Sequence, residues 1–407
     1  MSDAWLDVAH RIAATLCRDA LRSDGRCNWL GDAMETIDGQ MRSVHRSFGG
    51  DLYGGTAGIA LFLAEVDRFA PDPLLRATAR GAIEHALRAA DGGIGFYHGA
   101  TGAGFAAARI GELMDDEALA ERGLDLVERT TAAGDDSPID VLTGAAGTIG
   151  PLLALHAKYK REWMLDRAFA AGDLIVRRGR TNGNAVSWSV LGDAWAVADL
   201  TGYAHGAAGF ALALFELAHA TGEQRFSATA EAALAYERAL FSPQQQNWPD
   251  FRRAGANMPQ QQTTYAVGWC HGAPGIGLAR LRLYKLTRRP DVWEEATAAL
   301  RGTYTPLSTL APNSMFALCH GAAGNAELFI EAGQVLGDAG YTAIAEAIGR
   351  QGIERFHAPR RPWPSGLTTG GQTPGLMLGL AGIGYFYLRL HDSAGVPSVL
   401  VVGPTSA

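Results

Sequence analysis

Residues 202–215 read Gly202-Tyr203-Ala204-His205-Gly206-Ala207-Ala208-Gly209-Phe210-Ala211-Leu212-Ala213-Leu214-Phe215, a Gly-x-x-Gly phrase running straight into an apolar stretch. The phrase recurs seven times, starting at Gly55, Gly99, Gly144, Gly206, Gly272, Gly321 and Gly379. Successive starts lie 44 to 66 residues apart, a spacing that suits one helical hairpin per repeat. The runs after the phrases, such as Ile59-Ala60-Leu61-Phe62-Leu63-Ala64, are apolar nearly all round and are expected to form buried helices. Seven further stretches have helical period and one charged side: Trp5 to Leu21, Pro73 to Ala90, Asp116 to Thr130, Arg161 to Arg177, Ser227 to Phe241, Asp291 to Tyr304 and Tyr341 to Phe356. Seven wet helices alternating with seven dry ones predict an all-α fold, an α/α toroid of about seven inner and seven outer helices. The repeat runs almost from end to end, so residues 1–407 are expected to form one domain. Glycine would permit positive φ at the turns and let backbones approach where inner helices converge. Polar side chains at the seven corners would then project into one shared cavity.

The composition agrees. Apolar residues make up 47% of the 407 and charged ones 19%, which suits a large core and argues against disorder. The net charge of −7, with no basic tract, gives no reason to expect nucleic acid. The first residues lack the basic and apolar regions of a signal peptide, and the glycine-interrupted apolar runs do not read as membrane spans. Four cysteines in so long a chain make no disulfide framework, so the cytoplasm is the expected compartment. Two connections, 178–201 and 243–267, are longer and more polar than the rest. They flank the His205 repeat and are expected as rim loops, the second including a glutamine run at Gln260 to Gln262. The tail from Val396 to Val402 is β-branched and is expected to pack as an extended segment.

Gly54, His98, Thr143, His205, His271, His320 and Leu378 stand just before the first glycine of the successive phrases. Four histidines therefore share one structural position. Cys270 and Cys319 share another, one residue earlier. A thiolate pair plus His320 would give Zn²⁺ three protein ligands and leave a fourth position for water or substrate. By sequence alone His271 could take the place of His320. Cys17 and Cys27 read as buried apolar residues. His205 has no cysteine beside it and is a candidate proton donor or acceptor, since the ordinary histidine pKa of about 6.5 suits both roles. Asp140, four residues before the third phrase, is either a helix N-cap or a carboxylate that orients a histidine. His98 reads as structural. An α/α-barrel glycosidase would need two carboxylates facing one cleft, and no acidic pair recurs at the glycine rim.

At Trp269-Cys270-His271-Gly272-Ala273-Pro274-Gly275-Ile276-Gly277, Leu318-Cys319-His320-Gly321 and Gly202 to Gly209 the chain resembles the lanthionine synthetase C-like family, zinc-dependent cyclases that build thioether rings. Asn247-Trp248-Pro249-Asp250 and Val396-Pro397-Ser398-Val399-Leu400 are closer to the cyclase half of class II lanthipeptide synthetases than to stand-alone class I cyclases. The resemblance implies a toroid, zinc on Cys270, Cys319 and His320, and His205 as acid/base. Asp140 and His271 would join His205 among the catalytic residues. It implies as substrate a dehydrated precursor peptide, whose cysteine thiols add to dehydroalanine or dehydrobutyrine, and as a further partner a separate dehydratase. Glutathione addition to dehydroamino acids in proteins would use the same site, and a silent peptide-binding scaffold would keep only the fold. Many class I members have Tyr at the place of His271 and Arg at that of Ala266; here Arg252 and Arg253 are the nearest sources of positive charge. No dehydratase domain accompanies the cyclase-like part, so an excised domain and a free-standing enzyme are both compatible with the chain.

Overall fold

The computed structural model describes residues 2–38, 40–90, 92–253, 263–311, 314–367 and 371–404. Its helices are α1 (Ser2–Asp19), α2 (Thr56–Phe69), α3 (Pro73–Ala89), α4 (Ala100–Leu113), α5 (Glu117–Thr130), α6 (Ala145–Tyr159) and α7 (Glu162–Arg178), followed by α8 (Ala207–Thr221), α9 (Gln224–Leu240), α10 (Ala273–Thr287), α11 (Pro290–Ser308), α12 (Ala322–Leu336), α13 (Ala339–Gly352) and α14 (Leu380–His391). The even-numbered helices each follow a Gly-x-x-Gly phrase and pack side by side as a closed inner ring, in which α14 returns to α2. Each odd-numbered helix from α3 to α13 packs outside the inner helix before it, and α1 covers α14, so the first helix completes the last pair. The expected all-α toroid of seven inner and seven outer helices is observed.

The corners explain the glycines. In six of the seven phrases the first N–H of the inner helix donates to a carbonyl seven residues earlier, as in Thr56 to Gly49, Ala207 to Leu200 and Ala322 to Met315, at 2.8–3.0 Å. This folds each corner into the same loop and satisfies a donor that the helix itself leaves free. The second glycine of every phrase then lies against a carbonyl of its own corner. A Cβ at Gly58, Gly102, Gly147, Gly209, Gly275, Gly324 or Gly382 would stand 1.7–2.2 Å from that oxygen. Close approach is thus the general requirement. Positive φ serves at only one phrase glycine, Gly272, at +92°.

A ring of backbone hydrogen bonds joins the corners. Tyr53 N donates to Tyr97 O, His98 N to Leu142 O, Val141 N to Ala204 O, Ala204 N to Cys270 O, Cys270 N to Cys319 O, Cys319 N to Met377 O, and Met377 N to Tyr53 O. These seven bonds link every repeat to the next and close the circle. Deeper in the inner ring, neighbouring helices carry opposite charges ten residues after the first glycine. Glu65 pairs with Arg109, Glu216 with Arg282, and Glu331 with Arg389. Breaking such a pair strands a buried charge, at a cost of roughly 3–5 kcal/mol.

The C-terminal tail packs inside the ring as an irregular segment bent at Val396 and from Val399 to Val401, rather than as the extended run its sequence suggested. Tyr97 Oη donates to Val399 O and Leu400 O, Trp269 Nε1 to Leu400 O, and Tyr385 Oη to Pro397 O. The aromatic donors satisfy buried carbonyls that have no strand partner. The tail thereby fills the axis beneath the corners.

Three antiparallel hairpins were not anticipated: β1 (Leu21–Ser23) with β2 (Arg26–Asn28), β3 (Leu30–Ile37) with β4 (Gln40–Ser47), and β5 (Arg180–Asn182) with β6 (Ala185–Ser187). The first turns on Asp24-Gly25, both at positive φ, a two-residue signal for a tight hairpin. The third lies within the 178–201 connection. The two long connections also meet each other, through a bridge between Ala196 and Arg252 and a bond from Val197 N to Phe251 O. The Gln260–Gln262 run lies outside the described residues. Among the described residues no helix is long and apolar enough to cross a membrane.

Candidate functional site

Four consecutive corners bring the predicted residues together. The corner before α10 is held by a bridge between Val267 and Gly272 and by a bond from Gly268 N to His271 O. Gly268 lets the next corner press close, since a Cβ there would stand 2.9 Å from His320 Cβ. With Cys270 N bonded to Cys319 O, the ligand atoms of Cys270, Cys319 and His320 all fall within 4.8 Å of one another. His320 donates from Nε2 to Gly366 O at 2.9 Å, which leaves Nδ1 as the ring nitrogen with a free lone pair. A backbone carbonyl fixing the tautomer in this way is the usual support of a metal-ligating histidine. Two thiols and an oriented imidazole form a donor set suited to zinc. His320, not His271, is the histidine in this cluster.

Without a metal the cluster shares its protons. The Cys319 thiol donates to Cys270 and, with His320 and His271 nearby, holds Cys270 well below the ordinary thiol range. Cys319 is pushed up because its proton serves that bond and because it is buried. Burial works to lower His320, but the Cys270 thiolate overrides it and the ring is shifted upward.

Tyr53 was missed. Burial keeps its phenol neutral, well above its usual range, and it hydrogen-bonds the Cys319 thiol. The signal was present, because Tyr53 occupies in the first repeat the position that Cys270 and Cys319 occupy in theirs.

Gly144, not Asp140, is the N-cap of α6; Asp140 instead holds the turn before it and pairs with His205. Asp140 Oδ1 accepts from Thr143 N at 2.7 Å and from Thr143 Oγ1 at 2.8 Å, holding the turn. Its Oδ2 lies 2.5 Å from His205 Nδ1. Burial would raise the carboxyl, but the His205 and Thr143 bonds outweigh it and the net shift is downward. An ionised Asp140 accepts from Nδ1–H, leaving His205 Nε2 as the nitrogen able to exchange a proton.

His271 sits beside this pair, its ring centroid 5.7 Å from that of His205. It is 2% exposed and its Nε2 has no hydrogen-bond partner. Burial pushes its pKa down to about 4, so the ring is neutral. Arg252 is clamped by Asp250, Nε to Oδ1 at 3.0 Å and Nη2 to Oδ2 at 2.7 Å, and is near enough to act on both cysteines. Arg253 turns away, donating to the carbonyls of Asp193 and Trp195. His98 packs against Tyr53 with ring centroids 4.4 Å apart and planes tilted by 36°, its Nδ1 3.8 Å from Asp51 Oδ1. Cys17 and Cys27 are free and buried.

Fold and site together define an α/α toroid bearing a Cys–Cys–His cluster beside an Asp–His pair on its rim. The lanthionine synthetase C-like protein family model matches residues 47–401, and the chain belongs to that family. Among characterised relatives, glutathione S-transferase LANCL1 of Danio rerio is 23% identical over 291 residues, 68% of each chain. Among solved structures, nisin cyclase superposes with a TM-score of 0.65 at 16% identity, over 86% of this chain and 90% of its own. A family 76 glycoside hydrolase from a bovine Bacteroides thetaiotaomicron strain shares the fold at a TM-score of 0.51 and 12% identity, over 95% of this chain and 77% of its own.

Proposed function

We propose that the protein is a zinc-dependent cyclase that adds cysteine thiols of a dehydrated precursor peptide to dehydroalanine or dehydrobutyrine, forming thioether rings. The observation that carries this reading is the juxtaposition, on adjacent corners, of the Cys270–Cys319–His320 cluster and the Asp140–His205 pair. Cys270, Cys319 and His320 would hold the zinc. A cysteine thiol is only a few per cent ionised at neutral pH, and zinc supplies the remaining acidity, giving a thiolate nucleophile.

The addition forms a bond from sulfur to the β-carbon, and the alkene electrons pass toward the carbonyl. The thiol proton is lost to solvent. His205, protonated and held by Asp140, delivers a proton to the α-carbon and regains one from water. Asp140 stabilises the imidazolium and fixes which nitrogen faces the peptide. Tyr53 supports the charge on Cys319, and Arg252 adds positive potential to the rim.

The test pairs metal analysis with an assay on a dehydrated peptide. About one zinc per chain, lost in Cys270→Ala/Cys319→Ala together with ring formation, is the expected result. His205→Asn should keep zinc and slow closure. Loss of zinc in that variant, or a zinc-loaded wild type inert on every dehydrated peptide, refutes the assignment.

A second reading is favoured by the name of the Danio rerio relative: addition of free glutathione to dehydroamino acids. Peptides without cysteines of their own separate the two, because turnover that depends on added glutathione supports the second.

A further inference from the structure

The first two corners repeat the construction that pairs Asp140 with His205. Asp51 stands four residues before Gly55, and His98 directly before Gly99, the same register that brings Asp140 to His205. Asp51 Oδ1 accepts from Gly54 N at 2.8 Å, as Asp140 Oδ1 does from Thr143 N at 2.7 Å. The two carboxylates are therefore held by their own corners in the same way. His98 Nδ1 lies 3.8 Å from Asp51 Oδ1. The two histidines approach the thiols from opposite directions round the ring. His205 borders Cys270 through His271, with ring centroids 5.7 Å apart. His98 borders Cys319 through Tyr53, with centroids 4.4 Å apart and the Tyr53 hydroxyl bonded to the Cys319 thiol. Backbone bonds from Cys319 N to Met377 O, Met377 N to Tyr53 O and Tyr53 N to Tyr97 O lead round the corners to His98. The histidines differ in access to water: the His98 side chain is 42% exposed and that of His205 18%.

We propose that His98, with Asp51 behind it, is a further catalytic residue, the base that takes the proton of the incoming thiol and hands it to solvent. The inference rests on the thioether-forming reading above, in which the reaction moves two protons: one leaves sulfur and one arrives at the α-carbon. The S–H bond breaks, its electron pair stays on sulfur, and the proton passes to His98 Nε2, since Nδ1 is turned to Asp51. His98 then releases the proton to water and is ready for the next thiol. His205 supplies the proton for the α-carbon, so each histidine works in one direction and the net proton count is zero. Exposure assigns the roles. A proton bound for bulk solvent is best taken by a group in contact with water, whereas carbon is best protonated by the more enclosed histidine, where solvent does not compete. Imidazole suits the task because its neutral and protonated forms are both accessible near neutral pH. The Asp51 carboxylate favours the imidazolium that forms. Tyr53, between His98 and Cys319, keeps the base beside the sulfur site without placing it among the metal ligands.

The test compares wild type with His98→Asn and Asp51→Asn, with metal content and circular dichroism measured on each. Zinc and fold should be retained. Both variants should close rings on a dehydrated peptide about tenfold or more slowly at neutral pH. That is less than the typical effect of a general base, at least about 100-fold, because a metal-held thiol is already acidic. Imidazole added to His98→Gly should restore closure. A second readout needs no turnover. β-Mercaptoethanol is bound to the zinc-loaded protein in buffers of differing ionisation enthalpy, and calorimetry counts the protons that reach the buffer. His98→Asn should release about one proton per bound thiol, and wild type clearly fewer, since His98 retains part of it. Closure in His98→Asn within about twofold of wild type, loss of zinc in that variant, or equal proton counts in the two proteins overturns the proposal. A wild type that retains the thiol proton on His98 yet is inert on every dehydrated peptide would fail the thioether reading alone.

Discussion

Asp140→Asn tests the division of labour at the rim most sharply. Asparagine keeps an oxygen for Thr143 N and Oγ1, which lie 2.7 and 2.8 Å away, so the turn and the neighbouring corners should stay in place. It places an amide N–H where Oδ2 meets His205 Nδ1 at 2.5 Å. Nδ1 must then accept, the neutral ring becomes the Nε2–H tautomer, and the imidazolium loses its anionic partner. A hydrogen bond to a charged group contributes roughly 1.5–3 kcal/mol, which corresponds to a slowing of about 10- to 150-fold. The side chain of Asp140 is 4% exposed, so solvent does little to screen the change. Ring closure would be followed by alkylating unreacted thiols and weighing the peptide, because cyclisation alone leaves its mass unchanged. The His205 tautomer would be read from its ¹⁵N shifts. A variant with full zinc, a flipped tautomer and closure within twofold of wild type would refute the claim that His205 moves the proton.

Gly324→Ala should destabilise the fold by more than about 3 kcal/mol and reduce metal content, because its Cβ would stand 1.7 Å from Leu318 O, next to Cys319. Gly54→Ala, with nothing within 4 Å, should change the melting free energy by less than about 0.5 kcal/mol; equal effects would show that the corner carbonyls are not the constraint. Burial pushes the Glu327 carboxyl up to about 7, offset only in part by a 3.2 Å bond from Arg389 Nε, while the other Arg389 donors serve Glu331, Ser393 O and Val396 O. A folded-state value above the unfolded one means that stability from this group is full below pH of about 4.5 and lost as pH rises through 7. Relative to wild type, Glu327→Gln should therefore gain roughly 3 kcal/mol between pH 4.5 and 8, measured by urea unfolding at the two pH values, and a constant difference would contradict this account.

The repeat was legible because each corner solves the same steric problem with the same two glycines, and because inner helices buried on all sides tolerate no charged face. The hairpins were not, since four of the six strands are only three residues long and all lie between elements with much stronger periodicity. Their local signals in the sequence, Asp24-Gly25, Asp38-Gly39 and Gly183-Asn184, were passed over. Which histidine joins the cysteines depended on Gly366, a residue 46 positions away whose carbonyl selects the His320 tautomer. No motif records that contact. Asp140 was ambiguous for a physical reason: a carboxylate has two oxygens, and here one holds the turn before α6 while the other pairs with His205.

Chemistry at the rim follows from two register positions that the ring of backbone bonds brings into contact between successive corners. One lies four residues before the first glycine of a repeat, and the other just before the first glycine of the next. Where the first is a carboxylate, an Asp–His pair results: Asp140 with His205 at 2.5 Å, and Asp51 with His98 at 3.8 Å. Where it is glycine, backbone approaches histidine instead, as Gly202 does His271 and Gly268 does His320. Gly202, at φ +95°, would place a Cβ 3.2 Å from His271 Cα. A carboxylate at Gly268 would thus do more than alter charge. It would displace His320 from the thiols, so the same position that builds the Asp140–His205 pair in one corner must stay empty for the Cys270–Cys319–His320 cluster to converge in another.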